Sequence, residues 1–351
     1  HLSIRRQRQM CIRDRFAILR DVLLTVRLDN PTRFKQLVLE EKASLEAGLI
    51  PRGHIVSRSR LQARFNEADW ASEQMGGVAY LFFLRQLAKD IDADWAGVLQ
   101  TLETIRTGLV NRHAMICNVT LDADNWQQVK PQLDDFLAGL PAGEFAPQVW
   151  SPDYVTINEG LTIPAQVNYV SMGANLYDLG YELHGSVIPI ASYLRATWLW
   201  ERVRVQGGAY GGFCTFDWRS GLFAYMSYRD PNLVSTLENY DRTAQYLRDL
   251  KLSDEELTKA IIGAIGALDA YQLPDAKGYT SMARYLTNVT DDQRQAMRDQ
   301  VLATCGADFN RFADALDQVS EHGAVVVLGS QDVIEKANAE NGTGLKLVSV
   351  M

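Results

Sequence analysis

The stretch RVRVQGGAYGG, residues 202–212, places two arginines and one tyrosine around two glycine pairs. An arginine can bind a carboxylate or a carbonyl oxygen, and a tyrosine hydroxyl can donate a hydrogen bond to an oxygen that gains charge. The glycines allow a sharp turn of the backbone between these side chains. Three interpretations follow: a phosphate-binding loop, a plain tight turn, or half of an active site.

The phosphate-binding interpretation is the weakest of the three. A dinucleotide fingerprint needs G-x-G-x-x-G after a strand and before a helix, and a P-loop needs G-x-x-x-x-G-K-[ST]. The spacing from Gly207 does not fit, the predicted order is helix then strand, and no P-loop motif occurs. Gly207 and Gly208 are instead typical of the end of a helix. A plain turn does not explain why Arg204 and Tyr210 flank it.

Other catalytic motifs are missing from the sequence. The five histidines form neither H-E-x-x-H nor H-x-x-E-H, and G-x-S-x-G does not occur. We interpret His54 and His184 as loop residues and Cys214 as a packed strand thiol. Arg229 could meet a carboxylate or could lie at a solvated strand end. The sequence therefore predicts no metal ligands in this chain.

The hydrophobic pattern predicts the elements that must position Arg204 and Tyr210. A helix is predicted at 186–204, followed by two strands at 209–218 and 221–230 that form a hairpin. Further strands are predicted at 166–176 and 323–329, and two helices begin with capping boxes at Ser253 and Thr290. The part before about residue 108 is predicted to be mostly helical, and 113–121 alternates like a half-buried strand. This order indicates an α+β fold.

Composition limits the classes of function. The chain has 351 residues, 47% of them hydrophobic, and a net charge of -8. The acidic balance argues against a nucleic-acid binder and is compatible with attraction of basic peptides. No apolar run is long enough to span a bilayer, which argues against an integral membrane protein. Four widely spaced cysteines without C-x-x-C favour a reduced, intracellular setting.

The first fifteen residues differ from the rest of the chain, since they contain five arginines and do not start with methionine. An Arg-rich targeting peptide is one interpretation, and an artefact or a truncated end is the other. We expect the second, and we therefore treat residues 1–15 as a segment outside the family domain.

Several segments together resemble one known family. They are RVRVQGGAYGGF, LFAYMSYRDPN, QLPDAKGYTSMARYL and FKQLVLEEKASLEAGLIPRGHIVSRSRLQARF. From about Phe16 to the end, the chain resembles the C-terminal part of the presequence protease subfamily of the pitrilysin-type, or inverzincin, metallopeptidases. The resemblance implies a LuxS/metallohydrolase-like two-layer sandwich: a mainly antiparallel sheet with helices on one face, preceded by a mostly helical part of a similar domain. It also implies the end of a third domain at 16–145 and a fourth domain at 146–351.

The resemblance also implies a function and a set of site residues. Such enzymes are zinc metalloendopeptidases that degrade unstructured peptides, such as targeting presequences, in a closed chamber. Zinc is bound by an H-x-x-E-H half that this chain lacks. The matching catalytic positions here are Arg204 and Tyr210, because the spacing to the tyrosine selects Arg204 over Arg202. Gly207 and Gly208 are expected to bind substrate at the turn.

The missing zinc half implies partners and alternatives. We expect the chain to be a fragment, inactive alone, or a subunit that pairs with a zinc-bearing half and takes an unstructured peptide as substrate. The alternative is a non-catalytic peptide-binding or structural subunit of a pitrilysin-type complex. Neither nucleic acid nor membrane is an expected partner. A soluble intracellular location is expected: cytoplasmic in a bacterium, and the mitochondrial matrix or chloroplast in a eukaryote.

Overall fold

The computed structural model describes residues 14–147, 149 and 151–351. The prediction for residues 1–15 lies almost entirely outside the described residues, as does Cys11.

Within these ranges, fifteen helices and six strands are labelled in chain order. Residues 14–24 form α1. The other helices are α2 Pro31–Gly48, α3 Gly53–Gln62, α4 Glu67–Gly76, α5 Val78–Ala93, α6 Trp95–Leu109, α7 Ala123–Ala138, α8 Val187–Ala196, α9 Val234–Asp241, α10 Thr243–Asp249, α11 Asp254–Leu268, α12 Pro274–Leu286, α13 Asp291–Leu302, α14 Gly306–His322 and α15 Gln331–Asn341. The strands are β1 Glu159–Thr162, β2 Tyr169–Asn175, β3 Gly211–Asp217, β4 Leu222–Tyr228, β5 Ala324–Gly329 and β6 Lys346–Ser349. A 3₁₀ turn covers Arg112–Ala114, and a π-helix covers Trp200–Gln206.

The chain divides into two compact units. One takes its described residues from the ranges His1–Glu41, Leu84–Val149 and Tyr271–Val289, and is helical with a small core around Leu133 and Phe136. The other takes Lys42–Phe83, Trp150–Ala270 and Thr290–Met351, and contains the six labelled strands. The predicted domain limits at 16–145 and 146–351 stay a prediction.

The six strands form one sheet in the order β3-β4-β2-β5-β1-β6. Three of its five strand pairs are antiparallel, and the two pairs that include β1 are parallel. The predicted α+β class and the hairpin of β3 and β4 are confirmed, and the hairpin turns at Gly221, where φ is +76°. Both predicted capping boxes, at Ser253 and Thr290, are present.

The main core lies on one face of the sheet. Val170 and Met172 of β2 and Tyr225 of β4 face this side and pack with residues of α8, α9, α10 and α14. Burying each such large apolar side chain stabilises the fold by roughly 1.5–3 kcal/mol. This is the helix-covered face that the sequence predicts.

A second core covers the opposite face of the same sheet. The alternate residues Tyr169, Val326 and Leu328 pack there with Leu61 of α3 and Leu81 of α5. The structure thus adds a helix from the early part of the chain, α3, to the second face.

Contacts of three kinds hold α3 on the sheet. Gly53 lies so close to the Tyr169 ring that a Cβ atom would come within 2.4 Å of it, and the Ser57 hydroxyl is 2.8 Å from that of Ser171. Arg60 and Arg64 both donate to the buried carboxylate of Glu159 in β1, at 2.9 and 2.7 Å. Arg60 also pairs with the buried Glu73 of α4 at 3.4 Å.

Three predictions are wrong. Residues 113–121 form no strand; they are exposed, and all described strands belong to the other unit, so no partner is available for pairing. The helix predicted at 186–204 is interrupted: α8 ends at Ala196, where Thr197 leaves helical geometry (φ -119°, ψ -84°), and the π-helix follows. His54 is not a loop residue, because it lies in the first turn of α3.

Candidate functional site

The π-helix Trp200–Gln206 carries Arg204. Its backbone hydrogen bonds span five residues or more, as from Gly207 N to Arg202 O (3.1 Å) and from Ala209 N to Val203 O (3.1 Å). Such wide turns are rare and are frequent at functional sites. The Arg204 guanidinium carbon lies 4.2 Å from the centre of the Trp200 ring, four residues earlier. Arg202, in contrast, stacks on Trp198 at 5.0 Å and bonds Gln206, so it faces a different ring.

The glycine pair forms the turn after the π-helix. Gly208 has φ +79°, a left-handed conformation that favours glycine. A Cβ atom on Gly207 would lie 2.6 Å from the carbonyl oxygen of Val203. The Asn232 side-chain amide donates to the Gly207 carbonyl at 2.6 Å and fixes the turn. The predicted turn is therefore present, and substrate binding by Gly207 and Gly208 stays a prediction.

Tyr210 follows the turn and lies next to Arg204. Its backbone N–H donates to the carbonyl of Tyr228 at 2.9 Å, and its ring meets the Tyr228 ring edge-on at 6.1 Å. The Arg204 guanidinium carbon is 5.8 Å from the Tyr210 ring centre. The side chain of Tyr210 is 65% exposed. Its hydroxyl makes no hydrogen bond within the described residues, which leaves it available to a ligand.

Further residues of the same unit surround Tyr228. The His54 ring packs against the Tyr228 ring at 4.7 Å in an edge-on geometry, and the Tyr169 ring lies 5.9 Å from it. The Arg229 guanidinium carbon is 5.5 Å from the Tyr228 ring centre. These residues escaped the sequence reasoning, as did Trp200. The signals available were a tryptophan four residues before Arg204 and the alternation in LFAYMSYRD.

Burial shifts the pKa of two groups beside this cluster. Desolvation, and then the positive charge of Arg58, lower the pKa of His54 below its usual value. Desolvation raises the pKa of Asp230, despite hydrogen bonds from Thr236 Oγ1 at 2.7 Å and Asn232 N at 2.9 Å. The exposed part of the site thus carries arginine charge, while the nearest carboxylate in sequence points into the fold.

The residues present do not fit a metal. Within the described ranges, no three side chains of His, Cys, Asp or Glu come together as potential ligands. His184 precedes α8, with its Nδ1 2.8 Å from the Ser186 hydroxyl, as expected for a turn residue. Cys214 is fully buried in β3, and burial raises the pKa of its thiol to about 12. The packed-thiol interpretation of Cys214 agrees with this burial.

Comparison with known proteins decides the family. A family model described as the PreP C-terminal domain matches residues 158–331, and a second, described as peptidase associated, matches residues 10–87. Presequence protease 1, chloroplastic/mitochondrial, of Arabidopsis thaliana is 46% identical over 93% of this chain and 30% of its own length. The chain belongs to the presequence protease family. The first of the two family matches contains the candidate site.

More distant members extend the comparison. The mitochondrial presequence protease of Saccharomyces cerevisiae is 28% identical over 86% of this chain and 31% of its own length. Among solved structures, pitrilysin has a TM-score of 0.55 at 11% identity, over 95% of this chain and 34% of that chain, which shows a shared fold. The chain spans about a third of the length of these curated relatives. In the described part of the chain, no helix combines the length and apolar character needed to cross a membrane.

Proposed function

We propose that this chain forms the C-terminal half of a zinc metalloendopeptidase that degrades unstructured peptides in a closed chamber. The observation that supports this most is the position of Arg204, whose guanidinium lies 4.2 Å from Trp200 and 5.8 Å from the exposed Tyr210. Two polar groups that can bind a peptide backbone thus point from one turn. In the proposed enzyme, a separate half holds zinc, which activates the attacking water.

The role of Tyr210 is to stabilise the oxyanion. When water attacks a peptide carbonyl, the oxygen gains negative charge. A tyrosine hydroxyl beside it donates a hydrogen bond that strengthens as this charge develops. Because the Tyr210 backbone is anchored to the Tyr228 carbonyl at 2.9 Å, the ring has a fixed base from which to reach the substrate.

The role of Arg204 is to hold the peptide. A guanidinium donates to a neighbouring substrate carbonyl and thereby fixes the register of the chain beside the reacting bond. Stacking on Trp200 leaves the N–H groups at the edge of the guanidinium plane free to donate. We also propose that Gly207 and Gly208 let the peptide approach the backbone at the turn.

The proposed whole enzyme also sets the context. The domain limits at 16–145 and 146–351 correspond to the end of a third domain and a fourth domain. The Arabidopsis relative is named for chloroplasts and mitochondria and the yeast relative for mitochondria. For this chain we propose the same compartments in a eukaryote and the cytoplasm in a bacterium.

A complementation experiment tests the proposal. This chain and a zinc-bearing N-terminal half are purified separately, and cleavage of an unstructured, fluorescence-quenched peptide is followed for each alone and for the mixture. Cleavage by the mixture only is the expected result. A mixture of two folded halves that bind each other but cleave nothing would favour the non-catalytic subunit instead.

A further inference from the structure

Three arginines surround the Tyr210–Tyr228 pair. Arg204 lies 5.8 Å from the Tyr210 ring, and Arg229 lies 5.5 Å from the Tyr228 ring. Arg58 stands one helical turn after His54, which packs on Tyr228. We call Arg58, Arg204 and Arg229 the arginine cluster.

Within the described residues, no carboxylate forms an ion pair with any member of the arginine cluster. The closest carboxylates along the chain are used elsewhere. Asp230 is buried and accepts from Thr236 and Asn232, and Glu201 accepts from the Gln206 amide at 2.9 Å. On α3, Arg58 Nε is buried without a hydrogen-bond partner, as is the neighbouring His54 Nδ1. A locally positive surface therefore lies on a chain whose net charge is -8.

The backbone is strained where it presents Arg229. Arg229 has φ +46°, a left-handed conformation that costs a non-glycine residue about 1–3 kcal/mol. The strain orients two consecutive residues in opposite directions: Arg229 is exposed, while Asp230 is buried in its hydrogen bonds. An ordinary strand end would not need this conformation, and its retention points to a use for the exposed guanidinium.

We propose that the arginine cluster binds a carboxylate group of the peptide substrate beside Tyr210. This inference rests on the proposed function, since it concerns the same site. Guanidinium groups bind carboxylates through paired N–H donors, and aromatic walls such as Tyr228 and Trp200 limit the water that competes. The carboxylate comes from the C-terminus of the peptide or from an Asp or Glu side chain. The acidic whole chain and this basic site thus favour different parts of a substrate.

Three matched peptides separate the two sources. They are short, unstructured and fluorescein-labelled: one has a free C-terminal carboxylate and one internal Glu, the second has a C-terminal amide, and the third has Gln in place of Glu. Their Kd values for this chain are measured by fluorescence anisotropy. We expect one of the two altered peptides to bind about tenfold more weakly than the first, which identifies the carboxylate.

Variants then test the residues. Arg229→Asn removes the charge with a residue that tolerates positive φ, and we expect it to abolish the tenfold preference, while Arg229→Lys retains most of it. Arg58→Gln should reduce the preference in the same direction. Arg219→Asn is the matched control, because Arg219 is another arginine stacked on an aromatic ring, Trp218, at 4.9 Å, and it should leave the preference unchanged.

Several results would overturn the inference: no binding of any peptide, equal Kd values for all three, or a preference that survives Arg229→Asn. The complementation experiment keeps the two proposals apart. Cleavage by the mixed halves together with equal Kd values would contradict only the carboxylate site. Loss of cleavage together with a carboxylate preference would contradict only the enzymatic role.

Discussion

The Arg204 guanidinium carbon lies 4.2 Å from the centre of the Trp200 ring. The two residues are four positions apart in a π-helix, and Trp200 is half exposed. A cation held over a tryptophan face gains about 0.5–2 kcal/mol, depending on how far it is desolvated. The stack therefore limits the positions that Arg204 can adopt before a peptide arrives.

Trp200→Ala is expected to lower the kcat/KM of the complete enzyme roughly threefold to tenfold, mainly through KM, because Arg204 loses its support. Trp200→Phe should restore most of the activity. Trp218→Ala removes a comparable stack, under Arg219, and should change kcat/KM little. If Trp200→Ala and Trp218→Ala behave alike, Trp200 does not position Arg204.

Gly208 is expected to tolerate asparagine better than valine, since a β-branched residue is strained at φ +79°. Gly208→Val should lower the free energy of unfolding by about 1–2 kcal/mol and also reduce kcat/KM, because the turn sets the distance between Arg204 and Tyr210. Urea unfolding and peptide cleavage measure the two effects.

The control for this prediction is Gly342→Val, at the end of α15, where φ is +63°. It should cost similar stability and leave kcat/KM unchanged. Equal kcat/KM in the Gly208→Val and Gly342→Val variants would contradict a role of the turn in the site.

Local patterns predicted the elements whose causes are local. The β3–β4 hairpin follows from alternation and a glycine at the turn, and the capping boxes at Ser253 and Thr290 follow from spacing alone. The resemblance added Arg204 and Tyr210 as candidates, and the structure brings their side chains together.

Features with distant causes escaped prediction. The place of α3 on the sheet depends on contacts such as Ser57 with Ser171, more than a hundred residues apart, which no local pattern records. The apolar spacing at 186–204 fits a helix, yet it does not distinguish α from π hydrogen bonding. His54 joined the site only through α3, and its neighbours in sequence, Gly53 and Pro51, suggested a loop.

Glu159→Gln is expected to lower the free energy of unfolding by about 3–5 kcal/mol, because it leaves Arg60 and Arg64 with less compensated charge in a buried network. Urea unfolding followed by circular dichroism measures this loss. Glu255→Gln, in the exposed pair of Glu255 with Lys259, is the control and should stay within about 0.5 kcal/mol. Similar losses in both variants would show that the network does not hold α3 on the sheet.

His54 predicts a pH dependence of stability. Its pKa in the folded state is lowered below the usual 6.5 by desolvation and by Arg58, so the unfolded chain takes up a proton at a higher pH than the folded chain. The contribution is therefore fully present above about pH 6.5 and is lost as the pH falls toward the folded pKa.

Urea unfolding between about pH 7.5 and about pH 5 checks this dependence, and His54→Gln should make the curve flatter over that window. His322→Gln, at the exposed end of α14, is the control for removing a histidine. A curve for His54→Gln that is parallel to that of the unaltered protein would contradict the assignment.

Tyr210→Phe tests the central claim most directly, because it removes the hydroxyl and keeps the ring. In the enzyme assembled with a zinc-bearing half, we expect kcat to fall by about a hundredfold or more with little change in KM, since the hydrogen bond strengthens in the transition state. Tyr285→Phe, another exposed tyrosine, should leave both constants unchanged. An unaltered kcat for Tyr210→Phe would show that this hydroxyl does not stabilise the oxyanion.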